Sequence, residues 1–380
     1  MSKLEELINK LCPNGVEFKK LSEVCNSLKK GTLKTSDLNA NGKYPVINSG
    51  RELYGFYDEY NNKNAITLAA RGEYAGYISY FENEFWAGGL CYPYSSKNEE
   101  FITNKFLYYY LKKNENKIME NLVARGSIPA LNKSDLDRFL VPVPPLEVQC
   151  EIVRILDNFT LLSAELSAEL SARQKQFEYY KNYLLKSYDR QDNACLKDIA
   201  EYSKDRIKAN ELNEDNYIGV DNLLQNKQGK VKSSYIPKEG NFTKYQEKDI
   251  LIGNIRPYLK KIWFADNVGG TNGDVLAIRI TDNNVIPEYL YFILSSDKFF
   301  NYDNSNSKGA KMPRGNKEAV MNYKFYLPSK DEQLKIVNKL NKFEIICNDI
   351  SQGLPAEIEA RKKQYEYYRD KLLTFKELKS

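Results

Sequence analysis

Arginine, lysine and tyrosine recur in short groups along this chain, with spacings suited to holding an anion rather than breaking a bond. In the first half the groups are Lys29 and Lys30, Arg51, Arg71 with Tyr74 and Tyr77, Arg125 with Ser127, and Lys133. The second half has Lys204 and Arg206, Arg256 with Tyr258, Lys260 and Lys261, then Lys308, Lys311, Arg314 and Lys317. Cations and small hydroxyls hold phosphate oxygens, whereas base edges are read by side chains capable of paired hydrogen bonds, chiefly Arg, Lys, Asn and Gln. Taken singly, each of these residues reads equally as a solvated surface charge; the grouping carries the signal. Arg71 and Arg256 stand out because each directly follows a short hydrophobic run, AITLAA or DILIGNI, in corresponding parts of the two halves.

Catalytic chemistry is hard to build from this chain. Its 380 residues include no histidine, which removes the usual general base at neutral pH, the Cys-His and Ser-His nucleophile pairs and the common imidazole metal ligands. Six cysteines (Cys12, Cys25, Cys91, Cys150, Cys195 and Cys347) lie far apart without a Cys-x-x-Cys pair, so neither a disulfide framework nor a metal site is expected. There is no phosphate loop ending in Gly-Lys-Ser/Thr. Nor is there the Gly-rich cofactor turn or the Asn- or Asp-Pro-Pro-aromatic tetrapeptide that an adenine methyltransferase needs; Pro144 and Pro145 lie between valine and leucine and read as a helix lead-in. The acidic residues form no recognisable nuclease constellation.

A net charge of +5 and a pI near 8.5 fall below the rough pI of 9 that would alone suggest a nucleic-acid binder. The many Lys, Asn and Tyr residues also fit a host genome of low GC content. No apolar run approaches the roughly 18 residues of a membrane span, and the start, MSKLEELINK, is too charged for a signal peptide, so a cytoplasmic protein is expected.

The elements that must position these groups occur twice. Pro144, Gln149, Ile152, Val153, Leu156 and Phe159 recur, all at one constant offset, as Pro328, Gln333, Ile336, Val337, Leu340 and Phe343. Upstream, GSIPALNK from Gly126 resembles AKMPRGNK from Ala310 at that same offset, and FLYYYL from Phe106 resembles YLYFIL from Tyr289. Downstream, RQKQFEYYKNYLL from Arg173 returns from Arg361 as RKKQYEYYRDKLL, now at a slightly larger offset. An insertion of about one helical turn separates the two offsets.

Each repeat is a globular unit followed by a long helix that starts after a proline-rich exit, VPVPPLE or YLPSKDE. In the first helix, from Leu146 to Tyr188, Val148, Ile152, Ile155, Phe159, Leu162 and Leu166 alternate fours and threes as a coiled-coil seam requires. A stutter follows before Arg173, Phe177, Tyr180 and Leu184. The second seam runs Leu340, Phe343, Cys347, Ile350, Leu354, Ile358, Arg361, Tyr365, Tyr368 and Leu372, with Gly353 and Pro355 predicting a kink or break. Such helices pair with each other or pack on their own globular units. Each globular unit offers short strand-like runs (YPVIN, AITLAA, YAGYISYF; YIGV, DILIGNI, KIWFA, DVLAIRI) before a late helix, at 104–122 and 287–300.

The pattern predicts an α+β fold: two tandem globular α+β domains separated and joined by two long antiparallel coiled-coil helices in a pseudo-twofold duplication. The expected divisions are 1–145 (N-terminal helix and first globular domain), 146–190 (first helix), 191–328 (second globular domain) and 329–380 (second helix).

PVPPLEVQCEIVRIL, LPSKDEQLKIVNKL and the two Tyr-rich helix ends resemble the specificity subunits of type I restriction-modification systems, and the resemblance covers essentially the whole chain. It implies two target-recognition domains, each reading one half of a split double-stranded DNA target, with helices that set the spacing and dock methyltransferase subunits. It also implies that restriction (motor-nuclease) subunits join through the complex. The chain itself would hold no cofactor; S-adenosylmethionine, ATP and Mg would enter only through partners. The family's circular arrangement would set Met1 to Leu11 beside the distal end of the second helix. Half-sites about one DNA turn, roughly 34 Å, apart would suit two unlike readers. Exposed seam faces also suit self-association. Two other readings remain: a coiled-coil scaffold that does not bind DNA, and the recognition part of a fused restriction-methylation enzyme, which the absent tetrapeptide disfavours.

Overall fold

Two buried glutamines fix where the long helices leave their domains. Gln149 accepts the Thr103 N–H at 2.9 Å and donates to the carbonyls of Phe101 (2.9 Å) and Pro144 (2.8 Å). Gln333 repeats this, accepting the Ile286 N–H at 2.8 Å and donating to the carbonyls of Asn284 (3.1 Å) and Pro328 (2.9 Å). A proline five residues before the glutamine stops the incoming strand and offers a free carbonyl. The repeated proline-glutamine spacing is therefore a clamp between helix start, domain loop and proline exit. In the computed structural model, residues 3–185, 191–348 and 353–378 are described.

The first helix, Leu146–Leu185, has 40 residues and is about 60 Å long. The second repeat has Lys330–Asn348 and Leu354–Leu372. Gly353 is a bend and Pro355 lies in the first turn of the later helix, where its missing N–H costs nothing. No described helix carries Pro355 in its interior. Residues 186–190, Ile350 and the Cys347 side chain lie outside what is described.

The chain divides into two compact units, one of 1–167 with 357–380 and one of 168–356. In the first, an antiparallel sheet orders Cys25–Ser27, Cys91–Ser96, Ala65–Ala69 and Ile78–Phe81, with Ala65–Ala69 fully buried. A smaller sheet holds Gly55–Tyr57, Tyr44–Ile47 and Trp86–Ala87. The helices Asn104–Lys113 and Glu115–Asn121 cover the core. Within this unit the N-terminal helix Lys3–Leu11 joins the same core as Leu372, Leu373 and Phe375. The Val16 N–H reaches the Lys376 carbonyl at 2.9 Å.

The second unit repeats the main sheet strand for strand as Ala200–Tyr202, Val275–Ile280, Ile250–Gly253 and Ile262–Phe264, again all antiparallel. Its second sheet is larger, with Arg206–Lys208, Asn241–Tyr245, Gly269–Thr271 and Tyr217–Ile218 in that order. Pro287–Leu294 and Asp297–Ser305 are its covering helices.

The long helices serve both of the roles that their sequences left open. Val148, Ile152 and Leu156, spaced four apart, are buried in the first unit's core, and Val337 and Leu340 in the second's. The seam engages the other repeat's helix. Phe159 lies 6.4 Å from Tyr365 and 5.6 Å from Tyr368 between ring centroids in the first unit, and Tyr180 stacks on Phe343 at 5.5 Å in the second. At the stutter, Arg173 donates to Gln176 and Arg361 to Gln364, both at 3.0 Å, so each arginine is satisfied along its own helix.

Asp303, on the helix Asp297–Ser305, is fully buried, and among the described residues neither carboxylate oxygen has a hydrogen-bond partner. Burial pushes its carboxyl up to about 6. The folded state therefore holds this proton more tightly than the unfolded chain, and stability falls as pH rises from about 4 to about 6. Asp303→Asn is expected to remove that slope and to raise stability at pH 7.5 by up to about 3 kcal/mol, read as unfolding midpoints across pH. Gln149→Ala should leave the Thr103 amide without its acceptor, and Gln333→Ala the Ile286 amide, each at a cost of about 2–4 kcal/mol. Hydrogen exchange should lose protection at those two amides, while unchanged protection would show that the clamp is dispensable.

Candidate nucleic-acid interface

The loop ends of the two main sheets are built on one backbone frame. The Ala69 N–H bonds to the Tyr77 carbonyl, Ala70 to Leu90, Gly72 to Pro129, and Leu131 to Ala70, at 2.8–2.9 Å. In the second unit Gly253 bonds to Lys261, Asn254 to Asp274, Arg256 to Pro313, and Gly315 to Asn254, at 2.7–3.0 Å. Every donor and acceptor is displaced by the offset that relates Pro144 to Pro328, which extends the repeat into segments whose sequences no longer match. The short helix after each loop is also capped alike, Asn132 accepting the Ser134 N–H and Asn316 those of Glu318 and Ala319. That explains the shared Asn of GSIPALNK and AKMPRGNK.

On this frame Arg256 stands opposite Gly72, and Ile255 opposite Arg71. The two arginines are therefore neighbours in register rather than equivalents. Gly72 and Gly76 have φ of +95° and +92°; their counterparts Arg256 and Lys260 have +54° and +51°. The second unit thus places cations where the turn demands a left-handed backbone, which costs an L-residue about 1–2 kcal/mol. A side chain at Gly72 would meet open space, so the glycine there is required by the turn's φ and not by crowding.

The structure brings Arg51, Tyr74 and Tyr77 together although they are apart in sequence: the Arg51 guanidinium lies 4.9 Å and 5.6 Å from the two ring centroids. Lys112 lies 4.0 Å from the Tyr77 ring and also donates to the Ile78 carbonyl. Lys30 donates to the Gly89 carbonyl at 3.0 Å and sits 5.0 Å from the Tyr92 ring. Lys29 is exposed; its carbonyl accepts from Asn62. Arg71, Arg125 and Ser127 are exposed around the loop that ends at Pro129, and half-buried Lys133 lies 3.5 Å from Asp137.

In the second unit Arg256 and Lys261 line a cleft of about 610 Å³ together with Gln225, Tyr235, Asn272 and Met312. Beside it, Lys308 and Arg314 exchange two backbone hydrogen bonds of 2.9 Å, making a tight hairpin with Lys311 near its tip. Arg314 pairs with Asp274 at 3.1 Å. The corresponding residues of the first unit, Ala130 and Leu90, offer no such charge. Gly315 packs against Asn254 and Asp303; an added Cβ would come within 2.8 Å of an oxygen of each.

Several of the other expected residues have partners within the unit. Lys260 pairs with Asp297 at 2.8 Å, joined by Lys227 at 3.3 Å, and these ammonium groups hold the Asp297 carboxyl below its usual range. Lys261, although on the cleft, donates to the Val220 carbonyl at 2.7 Å. Lys204 pairs with Glu201 at 2.5 Å, and Arg206 donates to the Thr243 hydroxyl at 3.2 Å on an edge strand. Tyr258 is exposed, and Lys317 begins the short helix with its side chain exposed and its carbonyl accepting from Tyr202. Composition by segment did not single out Gln225, Tyr235, Asn272, Ile128 or Met312. For the last two, their matching places in the repeat, each just before a proline, were the available signal.

Among the described residues, no group of three or more Cys, Asp or Glu side chains is placed to hold a metal, and no helix is long and apolar enough to cross a membrane. Cations and amide side chains raised on rigid turns over a pair of similar sheets can hold phosphates and read base edges.

Comparison with known proteins agrees in sequence and in fold. Residues 13–173 and 190–360 match the family described as type I restriction modification DNA specificity domain. The chain is 30% identical over 382 residues to a putative type I restriction enzyme specificity subunit of Haemophilus influenzae, covering 95% of this chain and 96% of that one. It is 27% identical over 410 residues to the EcoR124I/EcoR124II specificity subunit of Escherichia coli, covering 99% and 97%. The crystal structure of a type I restriction-modification S subunit from M. genitalium shares the fold, with a TM-score of 0.63 at 18% identity over 98% of this chain and 99% of that one. Two α+β readers on a repeated frame, each followed by a clamped long helix, thus belong to the type I restriction-modification specificity subunits, and this chain is such a system's non-catalytic DNA-specificity subunit.

Proposed function

We propose that each globular unit reads one half of a bipartite double-stranded DNA target. The observation that supports this most is the common backbone frame carrying different side chains: Arg71, Gly72, Leu90 and Ala130 in one reader, and Ile255, Arg256, Asp274 and Arg314 in the other. One scaffold with two sets of hydrogen-bonding groups suits two unlike half-sites. In this reading 1–145 and 191–328 are the target-recognition domains, and 146–190 and 329–380 are the helices that set the spacing. The helices' exposed apolar residues, among them Leu161, Tyr179, Leu334 and Ile345, suit docking of methyltransferase subunits. Restriction subunits would join through that complex in the cytoplasm, and S-adenosylmethionine, ATP and Mg would be supplied by the partners.

Within the interface, the cations Lys29, Lys30, Arg51, Arg71, Arg125, Lys133, Lys204, Arg206, Arg256, Lys308, Lys311, Arg314 and Lys317 serve phosphates or bases. Tyr74, Tyr77, Tyr258 and Ser127 support them. Lys260 and Lys261 contribute mainly by fixing the turn around Arg256.

A map of methylated adenines in the source organism, with the gene intact and deleted, tests the central reading. Loss of one split motif is expected; an unchanged map with an active partner methyltransferase would refute it. In the assembled complex, Arg71→Ala should damage reading of one half-site and Arg256→Ala the other, each by about 1–3 kcal/mol. Arg256→Gly should lose the same DNA affinity yet exceed Arg256→Ala in stability by roughly 0.5–1 kcal/mol, because glycine relieves the left-handed turn. Equal unfolding midpoints for the two variants would rule out strain at this position.

A further inference from the structure

Ile128 and Met312 occupy the same position of the repeat, immediately before Pro129 and Pro313, and both point into solvent, 66% and 53% exposed. Single exposed apolar residues are ordinary on protein surfaces. These two are not independent accidents. Their neighbours have diverged, Gly-Ser to Ala-Lys before them and Ala-Leu to Arg-Gly after the proline, while a large apolar side chain has been kept at the tip in both copies.

The tips are rigid. In the first unit, hydrogen bonds from Gly72 to Pro129 and from Leu131 to Ala70 pin the chain directly behind Ile128. In the second, the bonds from Arg256 to Pro313 and from Gly315 to Asn254, with the Lys308–Arg314 pair, do the same for Met312. The following proline further restricts the backbone of each. An apolar side chain held out on such a support loses little conformational freedom when it binds.

What it binds is indicated by its surroundings. Arg71 and Arg125 are exposed close to Ile128 in the chain and the frame, and exposed Arg256, Lys308 and Lys311 are close to Met312 in the same sense, the nearby Asp274 being paired with Arg314. Such an excess of positive charge would repel a basic surface and attract a polyanion. Within DNA, an apolar side chain among cations finds thymine methyl groups and base faces as its partners.

We propose that Ile128 and Met312 are matched apolar specificity residues, each entering a DNA groove and touching bases of its own half-site. This rests on the reading that both units bind DNA. The test uses the full chain assembled with its methyltransferase subunits. The probes are duplexes carrying the target defined by methylation mapping, and duplexes with one or the other half-site scrambled, titrated over a range of salt.

Wild type should bind the target with steep salt dependence. Ile128→Ala and Met312→Ala should each lower target affinity about tenfold and abolish discrimination at one half-site only, a different half for each variant. Affinity for scrambled DNA and the slope against salt should not change, because no phosphate contact is lost. Ile128→Thr and Met312→Thr, with unfolding midpoints equal to wild type, guard against a folding defect.

If the variants keep full affinity and discrimination while wild type binds its target, the apolar assignment is wrong and the DNA-reading function stands. If they instead weaken assembly with the methyltransferase subunits, the tips are protein contacts and the proposal is overturned. Absence of salt-dependent binding by wild type would overturn the DNA-reading function and this proposal together.

Discussion

Closure of the loops at the ends of the two main sheets by one shared set of backbone hydrogen bonds is the constraint on which the rest of this structure depends. Ala69, Ala70, Gly72 and Leu131, like Gly253, Asn254, Arg256 and Gly315, hold their loops through N–H and C=O groups that every residue except proline possesses in full. The fold therefore asks little of the side chain where the frame is open to solvent, at Gly72 and Arg256, beyond tolerance of the local φ. Ala69, Ala70, Leu131 and Asn254 are buried and Gly315 is crowded, so those positions are held by packing as well. A protein that must vary what it recognises while keeping one architecture needs this separation of labour. The clamps do the reverse: Gln149 and Gln333 commit their amide groups to the backbone of neighbouring segments, and both are buried where substitution leaves donors and acceptors orphaned.

The difference between the two readers then has a physical description. Where the first unit has glycine at two left-handed positions, the second has Arg256 and Lys260. Lys260 is compensated by Asp297, whose carboxylate lies 2.8 Å from its ammonium group. Arg256 lines an open cleft together with Asp221 and Asp274, its backbone tied to Pro313 and its side chain in no ion pair among the described residues. Arg256 thus keeps a left-handed backbone while its side chain stays exposed. The first unit solves the same problem differently, leaving its turn relaxed and assembling Arg51 over Tyr74 and Tyr77 from a separate loop.

Much of this was legible in the sequence, and the limits of legibility are themselves physical. Long helices were readable because Pro144, Gln149, Pro328 and Gln333 have roles that few other residues can fill, and the strand runs AITLAA and DILIGNI because central strands must be apolar on both faces. The Arg71–Arg256 comparison was close but one residue out of register: hydrophobic runs mark where a strand ends only to within a residue, whereas the hydrogen bonds at Pro129 and Pro313 define it. The pairing of Lys260 with Asp297, 37 residues on, was not legible because nothing local announces it. Asp303 gave no hint of burial, since a carboxylate in an otherwise polar helix segment, DKFFNYDNS, reads as surface.

The helices show why a seam read from spacing can be right and still incomplete. Residues four apart on a helix drift around its axis by about 40° per step, so Val148, Ile152 and Leu156 form a stripe that turns progressively away from the face begun by Ile155 and Phe159. Near its domain the helix can thus present one stripe to its own core and an adjacent face to the partner helix. Beyond Leu156 the domain stripe has no further core to fill, and burial passes to Leu166 and Phe177. At the stutter between them Arg173 is exposed and bonds along its own helix, to Gln176 and Glu169. Arg361 bonds likewise to Gln364 and Glu357 of its own helix, which makes this a property of the repeat: each helix carries its arginine through the stutter by satisfying it locally, on a face left open to solvent.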